Sequence, residues 1–462
     1  MVFGGRDPDG FVLTPDDIVD SMVARLFRDH PPTARSAILD PGCGDGALIA
    51  GIIRWCASHH VDIPRITGVE KNVARAIEAR KRFRSYPSIR IEWRDFLTPS
   101  EKTYDYILGN PPYISLLRIP DADLSAFRTR YRSARGRFDA YMLFFEQAIT
   151  MLKENGRMVF ITPEKYLYVH AGTELRTILA RYDVHEIALV HEKAFRGMTT
   201  YPAITTIDHP GEPPSVPIPR MTTFIDRSGS RRQFQFPIDG TSVAPLMRGW
   251  PISPSERTLG DLCTRISCGI ATGADEVYVR RTEALPDDLR PFSYPTISGR
   301  QMSHLAAIPV PTRTVFILPY DRYGKLLPFS HLGPMMAELE RHKGRLLRRA
   351  CARRKPWYAI HDAVPLDAIL RPKILCADIV HEPKFIADYD GIIVPRHSTY
   401  YMVLKDPTML DAIIQYLSGP EAAGWLRAHC QPAANGYMRL QSSVLKNIPI
   451  PNEIGNPPSS GK

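Results

Sequence analysis

The sequence predicts an α/β protein of two domains, a helix-flanked sheet followed by a mixed α/β domain. Two observations support this fold class. Short apolar runs alternate with helical segments over the N-terminal half, and 462 residues exceed one ordinary α/β domain. Polar, turn-rich segments between Pro210 and Glu256 indicate the seam. The predicted boundaries are 1–245 for the first domain, 246–452 for the second and 453–462 for a flexible tail.

The first predicted strand, Ala37–Leu39, leads into a glycine-rich turn, Asp40-Pro41-Gly42-Cys43-Gly44-Asp45-Gly46, and then into an apolar helix. A strand, a glycine-rich turn and a helix form the first unit of a nucleotide-binding α/β domain. The glycines let the backbone approach a ligand closely, and Asp40 can meet a positive group. Neither GxGxxG nor GxxxxGK[ST] is present, so bound phosphate is not expected. A purely structural turn is the alternative.

The next two predicted strands also end at acidic residues. Ile66–Val69 ends at Glu70, where such folds bind ribose hydroxyls. Ile89–Arg94 ends at Asp95-Phe96, a carboxylate beside an aromatic ring. This pair can bind an adenine amino group and cover the face of the base.

A fourth apolar run, Tyr104–Gly109, ends at Asn110-Pro111-Pro112-Tyr113. The Asn side-chain oxygen accepts one hydrogen bond, and proline has no N–H to donate, so nearby carbonyls can stay free as acceptors. The tyrosine ring offers a flat face for stacking. Together these groups suit an exocyclic amine such as adenine N6. The alternative is an ordinary turn between a strand and a helix.

The segment after this motif predicts an aromatic helix and another buried strand. An amphipathic helix stopped by Gly156 has one apolar stripe, formed by Tyr141, Phe145, Ala148 and Leu152. The predicted strand Met158–Pro163 and a helical stretch to about residue 182 follow.

These motifs, in this order, resemble the gamma class of DNA adenine-N6 methyltransferases, the Taq-type modification enzymes and the methylase portion of type IIG restriction–modification proteins. In that family a Thr-Pro segment precedes the glycine-rich motif, as Gly10–Pro15 does here. The resemblance is strong to about residue 205 and looser beyond it. It implies a Rossmann-like methyltransferase domain that uses S-adenosylmethionine, followed by a DNA target-recognition domain.

The resemblance also implies cofactor-binding roles. Thr14 would contact the methionine part of S-adenosylmethionine and Asp40 its amino group, while Glu70 would bind the ribose. Asp95 and Phe96 would bind the adenine. Gly42 departs mildly from the family, where Ala is common. The implied cofactor contacts are Thr14, Asp40, Pro41, Gly42, Gly44, Glu70, Asp95, Phe96 and Asn110.

The implied catalytic residues are Asn110, Pro111, Pro112, Tyr113 and Phe195. Asn110 and the Pro111 carbonyl would bind the target amine, and Tyr113 would stack on the target base. The segments 192–195 and 200–204 resemble the family's eighth motif, which makes Phe195 the second stacking candidate. Tyr201 is the alternative ring, and either residue could belong to the core.

A basic segment in the second half predicts contact with DNA. Between Arg341 and Lys355, eight of fifteen residues are Lys or Arg. A helix there would place a basic face opposite an apolar face made of Met335, Leu339, Leu346 and Ala350. The alternative is a solvated basic face. The predicted DNA-binding residues are Arg341, Arg345, Arg348, Arg349 and Arg300, the last of which lies in a segment that resembles the recognition domain.

Composition limits the other classes of function. A net charge of +10 and a pI near 9.2 favour a polyanionic partner. Seven cysteines without a CxxC pair predict no zinc site, and with no signal peptide they indicate a reducing cytosol. No apolar stretch has membrane-span length. We therefore expect a cytoplasmic prokaryotic protein that acts as a monomer on double-stranded DNA and associates with the nucleoid through it, with a separate restriction endonuclease as a candidate partner.

The predicted reaction is methyl transfer to adenine N6 in a short duplex sequence after base flipping, without a metal. Two alternatives stay open. NPPY also occurs in enzymes that methylate protein glutamine, and related motifs act on RNA. A DNA-specificity subunit without catalytic activity is the other alternative.

Overall fold

The computed structural model describes residues 10–115, 119, 121–191, 194–195, 201–211, 218–249, 257–305, 311–433 and 436–454. The chain divides into two compact units, Met1–Gly249 and Trp250–Lys462. Most of the tail predicted from residue 453 lies outside the described residues. The same is true of residues 192–193 and 200 in the segments that resemble the eighth motif.

The strands of the first unit are β1 (Ala37–Asp40), β2 (Arg65–Glu70), β3 (Ile89–Trp93), β4 (Tyr104–Gly109), β5 (Leu152–Pro163), β6 (Asp183–Leu189), β7 (Pro202–Asp208), β8 (Met221–Ile225) and β9 (Arg231–Gln235). Its helices are α1 (Asp16–Phe27), α2 (Ala47–Ser58), α3 (Val73–Arg82), α4 (Asp121–Arg130), α5 (Ala140–Thr150), α6 (Thr173–Leu179) and α7 (Ala244–Met247).

One sheet organises this unit, in the order β3-β2-β1-β4-β5-β7-β6-β8-β9. Strands β1 to β5 pair in parallel, and β7 lies antiparallel between β5 and β6. The carboxyl ends of β1 to β4 therefore lie along one edge of the sheet, where α/β proteins bind their ligands.

Helices cover both faces of the sheet. The apolar spacing of α1 and α2 buries Val19, Met22, Ile49 and Ile52 on one face. On the other face α5 and α6 bury Tyr141, Phe145 and Leu175. Burial of these apolar side chains is the main contribution to the stability of the unit, at roughly 1.5–3 kcal/mol for each fully buried side chain.

The predicted aromatic helix ends earlier than expected. Helix α5 ends at Thr150, and Leu152 begins β5, where it pairs with Tyr104 of β4. Gly156 thus lies within a strand and does not stop a helix. Leu152 has the spacing of a helical apolar stripe, but it also fits a strand, because β4 supplies the partners for its backbone hydrogen bonds. The helical stretch expected to about residue 182 consists of two 3₁₀ turns and the short helix α6.

The strands of the second unit are β10 (Cys263–Cys268), β11 (Val279–Arg281), β12 (Ser293–Ile297), β13 (Thr314–Ile317), β14 (Lys373–Ala377), β15 (Ile379–Val380), β16 (Phe385–Asp388), β17 (Val394–Pro395), β18 (Thr399–Leu404), β19 (Gln431–Pro432) and β20 (Met438–Arg439). Its helices are α8 (Leu259–Leu262), α9 (Asp275–Tyr278), α10 (Gly299–Met302), α11 (Pro334–Arg341), α12 (Lys343–Leu347), α13 (Leu366–Ile369), α14 (Leu410–Leu417), α15 (Pro420–His429) and α16 (Ser442–Leu445).

The second unit is a mixed α/β domain built on small sheets. The sheets have the orders β10-β18-β14-β16, β11-β13-β12-β17 and β15-β20-β19. Their pairing is mostly antiparallel and joins distant parts of the chain, such as β10 with β18. A continuous apolar core packs between these sheets and their helices. No helix among the described residues is long and apolar enough to cross a bilayer.

Candidate active site

A pocket of about 280 Å³ opens at the carboxyl ends of β1 to β4. Several residues predicted from the sequence line it, namely Pro41, Gly42, Glu70, Asp95, Phe96, Asn110 and Pro112. Sequence analysis did not assign Phe11, Arg75, Ile114, Phe127 and Phe144, which also line it. Phe11 lies three residues before Thr14, and Phe144 lies in the aromatic helix. Their closeness in sequence to the recognised motifs is the signal that could have identified these two residues.

Asp40 is buried at the end of β1, directly before the pocket-lining Pro41 and Gly42. Its Oδ1 accepts a hydrogen bond from the Gly42 N–H at 3.4 Å, whereas Oδ2 is buried and has no partner among the described residues. Burial raises the pKa of the Asp40 carboxyl to about 8, and the nearby acids Glu70 and Asp45 add to the rise. A buried carboxyl group with an unsatisfied oxygen is suited to an ammonium group, whose charge would keep it ionised.

Glu70 at the end of β2 ties the glycine-rich turn to the sheet. Its Oε2 accepts from the Gly44 N–H at 2.9 Å, and Oε1 accepts from the Asn72 N–H at 2.6 Å. Each carboxylate oxygen keeps a second lone pair. The pocket-lining carboxylate can therefore also accept hydrogen bonds from ligand hydroxyls.

Asp95 and Phe96 follow β3 and form another part of the pocket wall. The Asp95 carboxylate accepts from the Leu97 N–H at 2.9 Å and pairs with Lys71 at 2.8 Å. Phe96 is buried, with its ring centre 5.0 Å from that of Phe144. These two rings provide an apolar surface for a planar heterocycle.

Gly44 is required where the turn passes Phe11. Its φ is +54°, and a Cβ there would lie 2.2 Å from the Phe11 ring. Gly42 is different, because a Cβ would find its nearest neighbour at 3.8 Å, on Phe144. The position therefore has room for the Ala that is common in the resembling family.

Asn110 directly follows β4, and its amide is held in one orientation. Its Nδ2 donates to the Thr14 hydroxyl at 2.9 Å and to the Val12 carbonyl at 3.2 Å. Its Oδ1 is buried and has no partner in the part of the chain that the structure describes. Both donor hydrogens are therefore used within the protein, while the acceptor stays available to a ligand.

The rest of the Asn-Pro-Pro-Tyr segment continues from Asn110. Within the described part of the chain the carbonyl of Pro111 accepts no hydrogen bond. The N–H of Tyr113 donates to the Gly10 carbonyl at 3.2 Å. No described residue is a hydrogen-bond partner of the buried Tyr113 hydroxyl, and burial raises its pKa well above the usual value. The Tyr113 hydroxyl thus points into the protein.

Phe195 does not line the pocket. It is buried in the apolar layer beneath α1 and α2. Tyr201, the alternative ring, lies under the Arg227 guanidinium, 5.1 Å from its carbon to the ring centre. The structure therefore brings Asn110 together with residues at the strand ends that are predicted to bind the cofactor, but it does not bring Phe195 to them.

The basic segment of the second unit differs from the single helix that was predicted. Helix α11 ends at Arg341, α12 covers only Lys343–Leu347, and a 3₁₀ turn covers Ala350–Arg353. Met335, Leu339 and Leu346 are buried as expected, but Ala350 is exposed because the helix has ended before it.

Arg349 was wrongly placed on the outward basic face. Its guanidinium donates to the carbonyls of Thr272 at 2.8 Å, Trp357 at 2.7 Å and Ala359 at 2.9 Å, so it holds three chain segments together. The other predicted DNA contacts, Arg300, Arg341, Arg345 and Arg348, are exposed. Arg341 pairs with Glu338, and Arg345 pairs with Glu276.

Comparison with known proteins bears on this site. Residues 59–195 match the family model of the Eco57I restriction-modification methylase. The type II methyltransferase M.PaeR7I of Pseudomonas aeruginosa is 25% identical, over 97% of this chain and 87% of its own. The type II methyltransferase M.XhoI of Xanthomonas vasicola is 23% identical, over 96% of this chain and 91% of its own.

A solved structure shows the same fold. The ATP-dependent Type ISP restriction-modification enzyme LlaBIII bound to DNA aligns with a TM-score of 0.52 at 11% identity, over 85% of this chain and 33% of that one. The fold is that of a Rossmann-like methyltransferase carrying an additional domain, as predicted. Within that class, the similarity to type II methyltransferases extends over nearly the whole chain. These findings confirm the resemblance to restriction–modification methylases and, with it, S-adenosylmethionine as the cofactor.

Proposed function

We propose that this protein is a site-specific DNA methyltransferase that transfers a methyl group from S-adenosylmethionine to adenine N6 in duplex DNA. It serves as the modification component of a restriction–modification system, acts as a monomer in the cytoplasm and is paired with a separately encoded endonuclease. The Asn110 amide carries the proposal. Its oxygen is buried and unpaired at the pocket, while its nitrogen is fully engaged by Thr14 and Val12.

The residues around the pocket fit the cofactor. The unpaired Oδ2 of Asp40 would accept from the ammonium group, Glu70 would accept from the ribose hydroxyls, and Asp95 with Phe96 would hold the adenine. In the described part of the chain no three His, Cys, Asp or Glu side chains are grouped as metal ligands. When bound, S-adenosylmethionine supplies a methyl group on a sulfonium sulfur, which is already an activated leaving group.

Asn110 and Pro111 act on the target amine. Adenine N6 is a weak nucleophile because its lone pair is delocalised into the ring. Two acceptors, Asn110 Oδ1 and the Pro111 carbonyl, would hold its two N–H groups and favour a more tetrahedral nitrogen. As N6 gains positive charge, both hydrogen bonds strengthen, so they stabilise the transition state more than the ground state.

The target base must leave the duplex to reach these acceptors, because a stacked adenine presents N6 only in the groove. The Tyr113 ring, three residues after Asn110, offers a face on which the flipped base can stack. The second unit would recognise the flanking sequence, with Arg300, Arg341, Arg345 and Arg348 contacting phosphates.

The test is expression in a bacterial host without adenine methylation, followed by long-read sequencing of its DNA for N6-methyladenine. We expect one short motif to be fully modified. Asn110→Ala should remove the modification, and the matched variant Asn447→Ala, at an exposed asparagine of the second unit, should retain it. An unmodified genome with a folded, cofactor-binding protein would contradict the DNA substrate and favour an RNA or protein-glutamine acceptor. Equal modification by Asn110→Ala would contradict the assigned role of its amide.

A further inference from the structure

One edge of the first unit carries a concentration of positive charge. Residues 71–102 contain nine Lys or Arg and four Asp or Glu, a net +5 that is half of the formal +10 of the chain. They form α3, β3 and the segment that follows. Strand β3 is outermost in its sheet, and no described strand pairs with its outer side. We name this surface the β3 edge, defined by Val73, Ile77, Arg80, Lys81, Arg84, Arg90, Trp93, Arg94 and Lys102.

A groove of about 530 Å³ follows this edge. Four cationic side chains line it, with Glu92 as the facing carboxylate; the cations are Arg80, Arg90, Arg94 and Lys102. Glu92 accepts from Arg94 Nε at 3.0 Å and from Lys102 Nζ at 2.7 Å, and it lies 3.6 Å from Arg90 Nε. One carboxylate therefore faces three of the four cations. Arg80 donates to the Ile91 carbonyl at 3.1 Å, a neutral partner, and no carboxylate among the described residues forms an ion pair with it.

Exposed apolar side chains flank the cationic groove. Trp93 is 58% exposed, and its Nε1 donates to the Lys71 carbonyl at 3.0 Å, which holds the indole in place. Val73 and Ile77, one turn apart on α3, are 47% and 45% exposed. An indole held beside several arginines is an unusual surface for a side that contacts only water.

Two simpler explanations account for only part of this surface. Arg80 and Lys81 lie in the last turn of α3, where cations complement the helix dipole. That role does not extend to Arg90 and Lys102, which lie on and after β3. Pairing with a second copy of the chain across this edge is disfavoured because each copy would bring a net charge of +5.

We infer that the β3 edge binds the phosphate backbone of duplex DNA outside the target sequence. This inference rests on the proposed function. A groove lined by four cations complements phosphates, and Trp93 can pack against a sugar or a base at its end. The five residues of β3 extend about 16 Å, over which one DNA strand carries about five phosphates. The catalytic unit thereby adds sequence-independent affinity to the recognition made by the second unit.

The test compares two double variants at opposite edges of the same sheet. Arg80→Gln with Arg90→Gln removes two cations from the β3 edge, and Arg231→Gln with Arg232→Gln removes two exposed cations from β9. The probe is a labelled duplex of arbitrary sequence, titrated between about 50 and 200 mM salt. Each lost phosphate contact makes the slope of log K against log salt less negative by about 0.9, and it weakens binding about 8-fold at 0.1 M salt.

We expect the slope of log K against log salt to be less negative by about 2 in the β3-edge variant than in the wild type. The slope of the β9 variant should match that of the wild type. Both variants should keep the wild-type melting temperature and cofactor affinity. Equal slopes for all three proteins, with methylation intact, would overturn the inference while leaving the proposed function standing. A wild type that neither binds nor methylates duplex DNA would contradict the proposed function itself. Binding of labelled polyglutamate that depends on the β3-edge arginines, together with duplex binding that does not depend on them, would identify an acidic polypeptide as the partner and overturn the inference.

Discussion

A site of the first unit and a core pair of the second unit differ in how their buried polar groups are satisfied. At the strand ends of the first unit, Asp40 Oδ2 and Asn110 Oδ1 are buried and find no partner among the described residues. In the core of the second unit Lys373 and Asp388 are 0% and 4% exposed, and they pair with each other. Asp388 also accepts from the N–H of Ile392 at 3.2 Å and of Ile393 at 2.9 Å.

This difference distinguishes polar groups that a ligand can complete from polar groups that the protein itself completes. An unsatisfied buried polar group costs about 1–3 kcal/mol, and beside a pocket a bound ligand can supply the missing partner. Lys373 and Asp388 are completed by the protein, and their role is structural. In the proposed function a ligand completes Asp40 and Asn110, and their role would be binding.

Breaking the buried pair should affect stability strongly. Lys373→Met leaves Asp388 buried without its cation and should lower the free energy of unfolding by about 3–5 kcal/mol. Urea denaturation measures this change. The double variant Lys373→Met with Asp388→Asn should recover part of the loss, because it removes the unpaired buried charge and the amide oxygen can still accept from Ile393. A single variant within about 1 kcal/mol of the wild type would show that the pair is not needed.

Cofactor affinity should depend on pH through Asp40. The raised pKa of Asp40, about 8, leaves most of the carboxyl protonated at neutral pH, and an ammonium group requires the ionised form. The dissociation constant of S-adenosylmethionine should therefore rise about tenfold for each pH unit below about 7.5. Titration calorimetry measures it. Asp40→Asn should bind weakly with no such slope, and a flat wild-type profile would contradict the role of Asp40.

The same carboxyl should make the unliganded protein less stable as pH rises. In the folded state Asp40 titrates at about 8, whereas in the unfolded chain an aspartate titrates near about 4. Between these values the folded state binds the additional proton, so the contribution of this group is fully present at low pH and is lost as pH rises through about 8. The difference in unfolding free energy between the wild type and Asp40→Asn should therefore grow in favour of the variant from about pH 5 to pH 8. A constant difference would contradict the raised pKa.

A glycine pair sharpens the comparison further. Gly44 and Gly136 both have positive φ, +54° and +56°, but only at Gly44 would a Cβ meet another group, the Phe11 ring. Ala at either position should cost about 1–2 kcal/mol of stability for the left-handed backbone. Gly44→Ala should also weaken cofactor binding about tenfold, because Phe11 lines the pocket and must move. Equal cofactor affinity of the two variants in titration calorimetry would contradict this expectation.

The sequence predicts the first unit well for a physical reason. Parallel strands are buried on both faces, so β1 and β4 appear as largely apolar runs, with Asp40 and Asn110 at their ends. The end of α5 was predicted wrongly because Leu152 fits both a helical stripe and the start of a strand. The pairing of Leu152 with Tyr104 decides between them, and a local pattern does not contain that information.

The second unit was predictable only as a fold class. Its strands are two to six residues long and pair across large sequence distances, as β10 does with β18, so no local period marks them. Arg349 shows the same limit for a single side chain. Its spacing matched a basic helix face, but its partners are carbonyls of residues 272, 357 and 359, which meet only in the folded chain.

The most direct test measures cofactor affinity and unfolding free energy on the same samples of wild type, Asp40→Asn and Asp388→Asn. We predict that Asp40→Asn is at least as stable as the wild type but binds S-adenosylmethionine about 10- to 100-fold more weakly, as the loss of a charge-assisted hydrogen bond implies. Asp388→Asn should lose stability and keep its affinity. Wild-type affinity in Asp40→Asn, or a loss of stability equal to that of Asp388→Asn, would contradict the account.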